Sequence, residues 1–416
     1  MKSSDGLIKQ ANIMFFAGIV GGLGNFLFQI FMNRGLQPGD FAAFSSLLAL
    51  FVIISVPGVT IQTVIAKQVS HYRANGDQKK IASLFLQSLG KVSLLGGVLL
   101  IIFMVASRFL TRFLKIDSQG PIIITGIALG MAFLAPVAFG TLQGLQKFVP
   151  WAVNGIASVS ARLIAGIILV FFGFRVAGAM GSSIIAAVVS LGLALFSLKF
   201  LFGQDAPREK IDFMEMYRYS LPVLGALFFL ALLQFVDIVL VKHFFSKTLA
   251  ADYSTASVLG RTIVYLPAAV SAVMFPKVSE EKTRGGDSFP LLKQSLIYSL
   301  LLCFGAALFF FLFPKLIINI FRPAYAATVP PLLKVFGFAL IPLALTTILV
   351  YYNLAVHRMK FIYGLGGGVM LHIILLSRFH ATLPQVILVL GISGTFIFIL
   401  VSAFGWSRKS KEKRSC

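Results

Sequence analysis

The chain has 416 residues, 58% hydrophobic and only 12% charged, with 42 phenylalanines, a formal charge of +22 and a mean hydropathy of +0.92. Soluble chains carry roughly 25% charged residues, so this composition excludes a water-soluble globule and with it a soluble catalytic or nucleic-acid-binding module. A bilayer-spanning helix needs about 20 mostly apolar residues, which leaves room for about a dozen spans and little else.

Apolar runs broken by charge or turn clusters predict spans at 11–33, 41–66, 83–107, 121–143, 151–173, 176–202, 219–241, 253–276, 291–314, 331–353, 361–377 and 384–406. Backbone groups in lipid must be satisfied within their own segment, so the expected fold is an all-α polytopic membrane protein with about 12 transmembrane helices. Lys2 and Lys9 precede an apolar stretch longer than a signal-peptide core and without a small-residue cleavage site, which reads as a retained first span. The polar stretch 203–218 reads as a linker between a bundle at 1–202 and a second at 219–406, and 407–416 as a basic tail. The chain ends and the loops with Lys67, Arg73, Lys147, Arg208, Lys282 and Arg358 carry roughly twice as many cations as the loops with Arg34, Arg108, Arg175, Lys242 and Arg322. That bias predicts that both termini, the linker and the tail are cytoplasmic.

Short patterns recur about half a chain apart. Asp40-Phe41-Ala42-Ala43 is echoed by Asp252-Tyr253-Ser254-Thr255, Lys67-Gln68-Val69-Ser70 by Lys277-Val278-Ser279, Gln87-Ser88-Leu89 by Gln294-Ser295-Leu296, and Pro136 by Pro342. Six spans per half keep both halves in one orientation, so the repeat is parallel, about an axis along the membrane normal.

Charges inside spans are costly and face protein or a water-filled cavity. Lys91, Arg162 and Arg261 are expected to line such a cavity, whereas Lys334 and Asp237, near span ends, fit snorkelling as well as a cavity role. Asp237 and Arg261, on consecutive spans toward the same side, are expected to pair. Four cations against one carboxylate predict a positive interior and an anionic substrate, with Arg suited to phosphate through bidentate hydrogen bonds. Asn25, Gln29, Gln62, Gln143, Asn154 and Gln234 fit either sugar hydroxyls or helix-to-helix hydrogen bonds. Pro57-Gly58 and Pro267 fall at related places in the two halves and are expected to interrupt their helices, as gating elements or as static kinks. The pairs Gly18/Gly22, Gly140/Gly144 and Gly364/Gly368 predict close helix packing. No phosphate loop, metal-ligand motif or dinucleotide fingerprint occurs, Cys303 and Cys416 form no framework, and the five histidines are scattered. Neither an enzyme nor a bound cofactor or metal is expected, so any uphill transport would draw on membrane potential or a proton or sodium gradient.

The stretch from Asn33 through Asp40 to Phe44, the run Ala66-Lys67-Gln68-Val69-Ser70, and in the second half Asp237-Ile238, Ala251-Asp252-Tyr253, Arg261 ahead of Leu266-Pro267, and Phe275-Pro276-Lys277-Val278-Ser279 resemble the polysaccharide-type flippases of the multidrug/oligosaccharidyl-lipid/polysaccharide (MOP) exporter superfamily. The resemblance implies two six-helix bundles around a V-shaped cavity, alternating access, and a bacterial inner-membrane location. It also implies an undecaprenyl-pyrophosphate-linked oligosaccharide as substrate, bound for O-antigen or exopolysaccharide, with polysaccharide polymerase and assembly proteins as partners and no nucleic acid. Arg261 and Asp40 match positions where the related lipid II flippases carry a cavity Arg and an acidic residue, and Arg34 falls within the matching stretch; Asp237 is the candidate for ion coupling. Phe28 and Gln29 replace the Arg-Asp pair of those lipid II enzymes' first span, and 12 spans replace 14, which favours the oligosaccharide substrate over lipid II. An exporter of a small organic anion or drug, and a membrane glycosyltransferase or polymerase, are the competing readings.

Overall fold

A computed structural model of the chain describes residues 2–202, 213–325 and 327–406. Every regular element among them is a helix. The tail at 407–416 and most of the linker lie outside the described residues, and helix already resumes at Phe213. The chain divides into two compact units, Met1–Ser220 and Leu221–Cys416.

The first unit contains α1 (Lys2–Gly35), α2 (Pro38–Ala74), α3 (Gln78–Phe113), α4 (Gly120–Ala132), α5 (Ala135–Gly144), α6 (Phe148–Phe171) and α7 (Arg175–Ser197). After α8 (Phe213–Phe244), whose start precedes the unit boundary, come α9 (Lys247–Gly260), α10 (Thr262–Thr283), α11 (Phe289–Leu312), α12 (Pro314–Phe321), α13 (Val329–Ala355), α14 (Phe361–Arg378) and α15 (Leu383–Trp406). Among the described residues, twelve helical stretches are long and apolar enough to cross a membrane, with α4–α5 and α9–α10 each forming one span. The protein is a multi-pass membrane protein. The second and third spans run to Ala74 and Phe113, beyond the apolar runs at 41–66 and 83–107, because polar and basic residues continue the helices at their ends.

The two units repeat one packing plan. In the first, α4–α5 packs against α2, α3 and α7, and α6 packs against α7; in the second, α13 packs against α9–α10, α11 and α15, and α14 packs against α15. The fourth span of each unit is therefore its central helix. Glycines permit the closest approaches: a Cβ at Gly144 would stand 2.7 Å from the Ala66 carbonyl oxygen, and one at Gly140 would stand 2.5 Å from that of Gln62. Gly364 and Gly368 likewise face α15, whereas Gly18 and Gly22 meet no neighbour within 4 Å and do not form the packing seam expected of them.

Helix interruptions differ from expectation. The second span runs through Pro57 as one helix, since proline removes a single ladder bond and the helix is held by its packing on α5 and α7. The break in this unit falls instead at Phe133 and Leu134, just ahead of Pro136, whose ring lies 3.0 Å from where a Cβ on Gly58 would be. In the second unit the eighth span breaks at Arg261, six residues before Pro267.

Candidate functional sites

Each unit carries its own buried ionic or cationic group. In the second unit, Asp237 of α8 is fully buried. One carboxylate oxygen accepts from Arg261 Nη2 at 2.5 Å, and the other accepts from the Tyr253 hydroxyl at 2.5 Å. Arg261 Nη1 donates to Ser257 Oγ at 2.6 Å. Tyr253, Ser257 and Arg261 are spaced four apart, so one face of α9 presents all three toward Asp237. The expected pairing of Asp237 with Arg261 is present, and the snorkelling alternative for Asp237 fails because its carboxylate is enclosed.

The backbone around Arg261 follows from its place at a helix break. Its N–H still donates to the Ser257 carbonyl at 2.9 Å, but its carbonyl accepts the tighter three-residue bond from Val264 N–H. The preceding Gly260 is required by close approach, as a Cβ there would lie 2.4 Å from the Phe336 ring. Phe336 in turn packs edge-on to Tyr253, with centroids 5.4 Å apart. Beside the guanidinium runs a narrow crevice lined by Gln234, Phe235, Val264, Tyr265, Leu340 and Leu343. Fully buried His372 bonds Ser393 Oγ through Nδ1 at 2.6 Å, leaves Nε2 without a partner, and lies within electrostatic reach of both Asp237 and Arg261. From sequence Tyr253 appeared only within a repeat and a family motif, and the four-residue spacing to Ser257 and Arg261 could have assigned it to the site; His372, the lone histidine within a span, fits the hydrogen-bonded structural role such a residue ordinarily has.

In the first unit, Arg162 is half-buried near the middle of α6 and faces α1. Its guanidinium carbon lies 4.3 Å from the centroid of the Phe28 ring, and Nη1 makes a long 3.4 Å contact to Asn25 Oδ1. Its Nε is buried without a partner, and no carboxylate among the described residues pairs with it. A charge at this depth costs roughly 2.5–3.5 kcal/mol on insertion scales. A cation–π contact at a part-exposed site returns about 0.5–1 kcal/mol, so most of that cost is unmet. Gln29, one turn from Asn25 on α1, adds a buried Oε1 that also lacks a partner. Arg261 Nε is likewise buried without a partner, so what sets Arg162 apart is the lack of a carboxylate, with the unpartnered Gln29 Oε1 on the facing helix.

The other predicted positions separate. Asp40 opens α2 and is buried, accepting two hydrogen bonds from Arg175 at the start of α7, at 2.7 Å and 2.9 Å. This bidentate pair ties two helix ends, and sequence reading counted Arg175 only as a loop cation. Its repeat counterpart, buried Asp252, accepts from Thr328 Oγ1 at 3.1 Å, so both acids anchor a span start. Arg34 is exposed in the last turn of α1. Lys91 is exposed on α3, in line with Leu94, Leu95, Val98 and Ile101 on an apolar stripe. Of the polar residues, Gln62 bonds Gln143 at 3.2 Å, Asn154 donates to the Ser190 carbonyl at 2.8 Å, and Gln234 contacts Thr347 at 3.3 Å, all between helices. At the opposite end of the first unit, Lys147 in the α5–α6 loop sits 3.9 Å over the Phe200 ring, and burial lowers its pKa.

The profile of a family described as polysaccharide biosynthesis protein matches residues 7–282. The chain belongs to that family. The fold agrees with it. An inward-facing multidrug resistance MATE family transporter of the MOP superfamily superposes with a TM-score of 0.76 at 15% identity, covering 95% of this chain and 96% of the other. The lipid II flippase MurJ, in an inward closed conformation, gives 0.73 at 16% identity over 95% and 86% of the two chains. An outward-facing MATE family transporter gives 0.60 at 15% identity over 98% and 96%. No curated protein matches the chain significantly in sequence. The family member described here therefore has the MOP-exporter fold.

Proposed function

We propose that this family member is a flippase that moves an undecaprenyl-pyrophosphate-linked oligosaccharide from the cytoplasmic to the outer leaflet of a bacterial inner membrane, for O-antigen or exopolysaccharide synthesis. The observation that carries the reading is Arg162: a half-buried guanidinium without a carboxylate partner among the described residues, beside the unpartnered Oε1 of Gln29. An arginine so placed offers planar, bidentate donors to a pyrophosphate, and the side-chain amides of Asn25 and Gln29 on the facing helix suit sugar hydroxyls. Membership in a polysaccharide biosynthesis family and a fold shared with a lipid II flippase support a lipid-linked glycan as cargo. The fold's occurrence in inward- and outward-facing MATE transporters supports alternating access.

The cationic excess of the loops holding Lys67, Arg73, Lys282 and Arg358 supports cytoplasmic termini. Asp237 is the candidate coupling carboxylate, and because Arg261 occupies it, ion uptake there would have to displace the guanidinium. Export of a pyrophosphate needs no such step when the potential drives it: two negative charges leaving a negative interior release about 4.6 kcal/mol per 100 mV.

Deleting the gene tests the reading. Lipid-linked oligosaccharide should accumulate in the cytoplasmic leaflet while surface polysaccharide is lost, and the wild-type gene should restore both. Unchanged surface polysaccharide with accumulation of a small organic anion inside the cell would replace the flippase reading with a small-molecule exporter.

A further inference from the structure

The second unit holds a cavity of about 670 Å³ that the transport site does not use, between the α10–α11 loop, the start of α11 and the last turns of α13 and α15. The loop is set by Gly285, whose positive φ of 77° ends α10 while Gly286 N–H donates back to the Glu281 carbonyl.

The cavity has three kinds of wall. Lys282, Lys293 and Arg358 line it against one acid, Asp287, whose Oδ1 already accepts from Phe289 N–H at 3.1 Å. Leu292, Leu296 and Ile297 form an apolar side that continues onto the exposed face of α11 at Leu301. The polar lining is buried: Ser288 Oγ and the Tyr352 hydroxyl are 3.0 Å apart, and Asn353, 2% exposed, donates through Nδ2 to the Leu349 carbonyl at 2.8 Å. That bond leaves Asn353 Oδ1 buried without a donor. A buried acceptor in that state costs about 1–3 kcal/mol, which a ligand hydroxyl would offset.

We propose that this cavity binds the headgroup of an anionic, hydroxyl-bearing glycerophospholipid of the phosphatidylglycerol type. The phosphodiester meets the Lys282, Lys293 and Arg358 rim, a glycerol hydroxyl donates to Asn353 Oδ1, and an acyl chain runs along the Leu292–Ile297 side. Basic pockets between transmembrane helices recognise anionic headgroups in this way, and the volume lies within the ordinary range for small-ligand sites. A choline headgroup would bring a cation to a cationic rim and no donor to Asn353.

The test is native mass spectrometry of the purified full-length protein, offered equal amounts of phosphatidylglycerol, phosphatidic acid and phosphatidylcholine. The wild type should retain phosphatidylglycerol roughly tenfold more than phosphatidylcholine, and the exposed-lysine variant Lys282→Gln/Lys293→Gln should bring that ratio near one with an unchanged melting temperature. The wild type should also favour phosphatidylglycerol over phosphatidic acid, which lacks the glycerol hydroxyls, and Asn353→Leu should erase that advantage while keeping selectivity against phosphatidylcholine. Equal retention of phosphatidylglycerol and phosphatidylcholine by the wild type, or selectivity that survives the double substitution, overturns the site. Preserved preference over phosphatidic acid in Asn353→Leu overturns the hydroxyl contact. Displacement of the lipid by millimolar glycerol 1-phosphate would assign the cavity to a soluble phosphate ester and overturn the lipid source.

Discussion

Replacing Arg261 by Met leaves Asp237 fully buried with the Tyr253 hydroxyl as its one remaining donor, and replacing Asp237 by Asn leaves the guanidinium of Arg261 buried against a neutral amide. Removing one partner of a buried ion pair typically costs about 3–5 kcal/mol, because the surviving charge loses its counter-charge without regaining water. Both side chains are enclosed, so neither survivor can recover its lost counter-charge from water. The double variant Asp237→Asn/Arg261→Met carries no charge in the same enclosure and should recover at least about 2 kcal/mol relative to the sum of the singles. The assay is equilibrium unfolding of the purified protein in mixed micelles, followed by helicity, for the wild type and all three variants. Single variants that each lose under about 1 kcal/mol, or losses that simply add, would refute the claim that the two groups form one enclosed unit.

Other outcomes follow from the same contacts. Arg162→Gln should lower apparent affinity for the lipid-linked substrate by roughly 10- to 100-fold while leaving the melting temperature within a few degrees, since its protein contacts are one ring and one long hydrogen bond; complementation of the deletion strain over a range of expression levels reads this out. Asp40→Asn should destabilise by about 1 kcal/mol and lose its effect in high salt, because its partner Arg175 is more than half exposed; salt-dependent melting checks it. Gly144→Leu should cost about 1–3 kcal/mol or abolish accumulation in the membrane, since even a Cβ there falls on Val69 and the Ala66 carbonyl, and thermal stability of the detergent-extracted protein measures it.

The spans were legible because lipid imposes one rule on every segment: long apolar runs must be helices, and charge clusters mark where the apolar run ends even where the helix continues. The pairing of Asp237 with Arg261 was legible for a similar reason, as a lone carboxylate in an apolar span has few partners at its depth. Helix breaks were not. Proline marks a missing donor, yet whether the helix breaks depends on what its neighbours hold, and the breaks fell ahead of Pro136 and Pro267 while α2 and α13 pass through Pro57 and Pro342. Residue type also did not reveal which cation is already satisfied. The expected pairing with Asp237 marked Arg261 as neutralised, but only packing shows that Arg162 rests on an aromatic ring with no carboxylate beside it. With Arg261 paired and Lys91 and Lys334 exposed, the positive interior inferred from four cations contracts to Arg162, a narrower basis for an anionic substrate and one that a single substitution addresses.

The proposed function has an anionic lipid-linked glycan carried outward with its pyrophosphate received by Arg162. Its most direct measurement is transport of an undecaprenyl-pyrophosphate-linked oligosaccharide in proteoliposomes with an imposed potential, scored by glycan reaching the face made positive. The rate should rise steeply with potential, driven by about 4.6 kcal/mol per 100 mV for two charges, and be largely lost in Arg162→Gln. A rate indifferent to both the potential and Arg162 would contradict it.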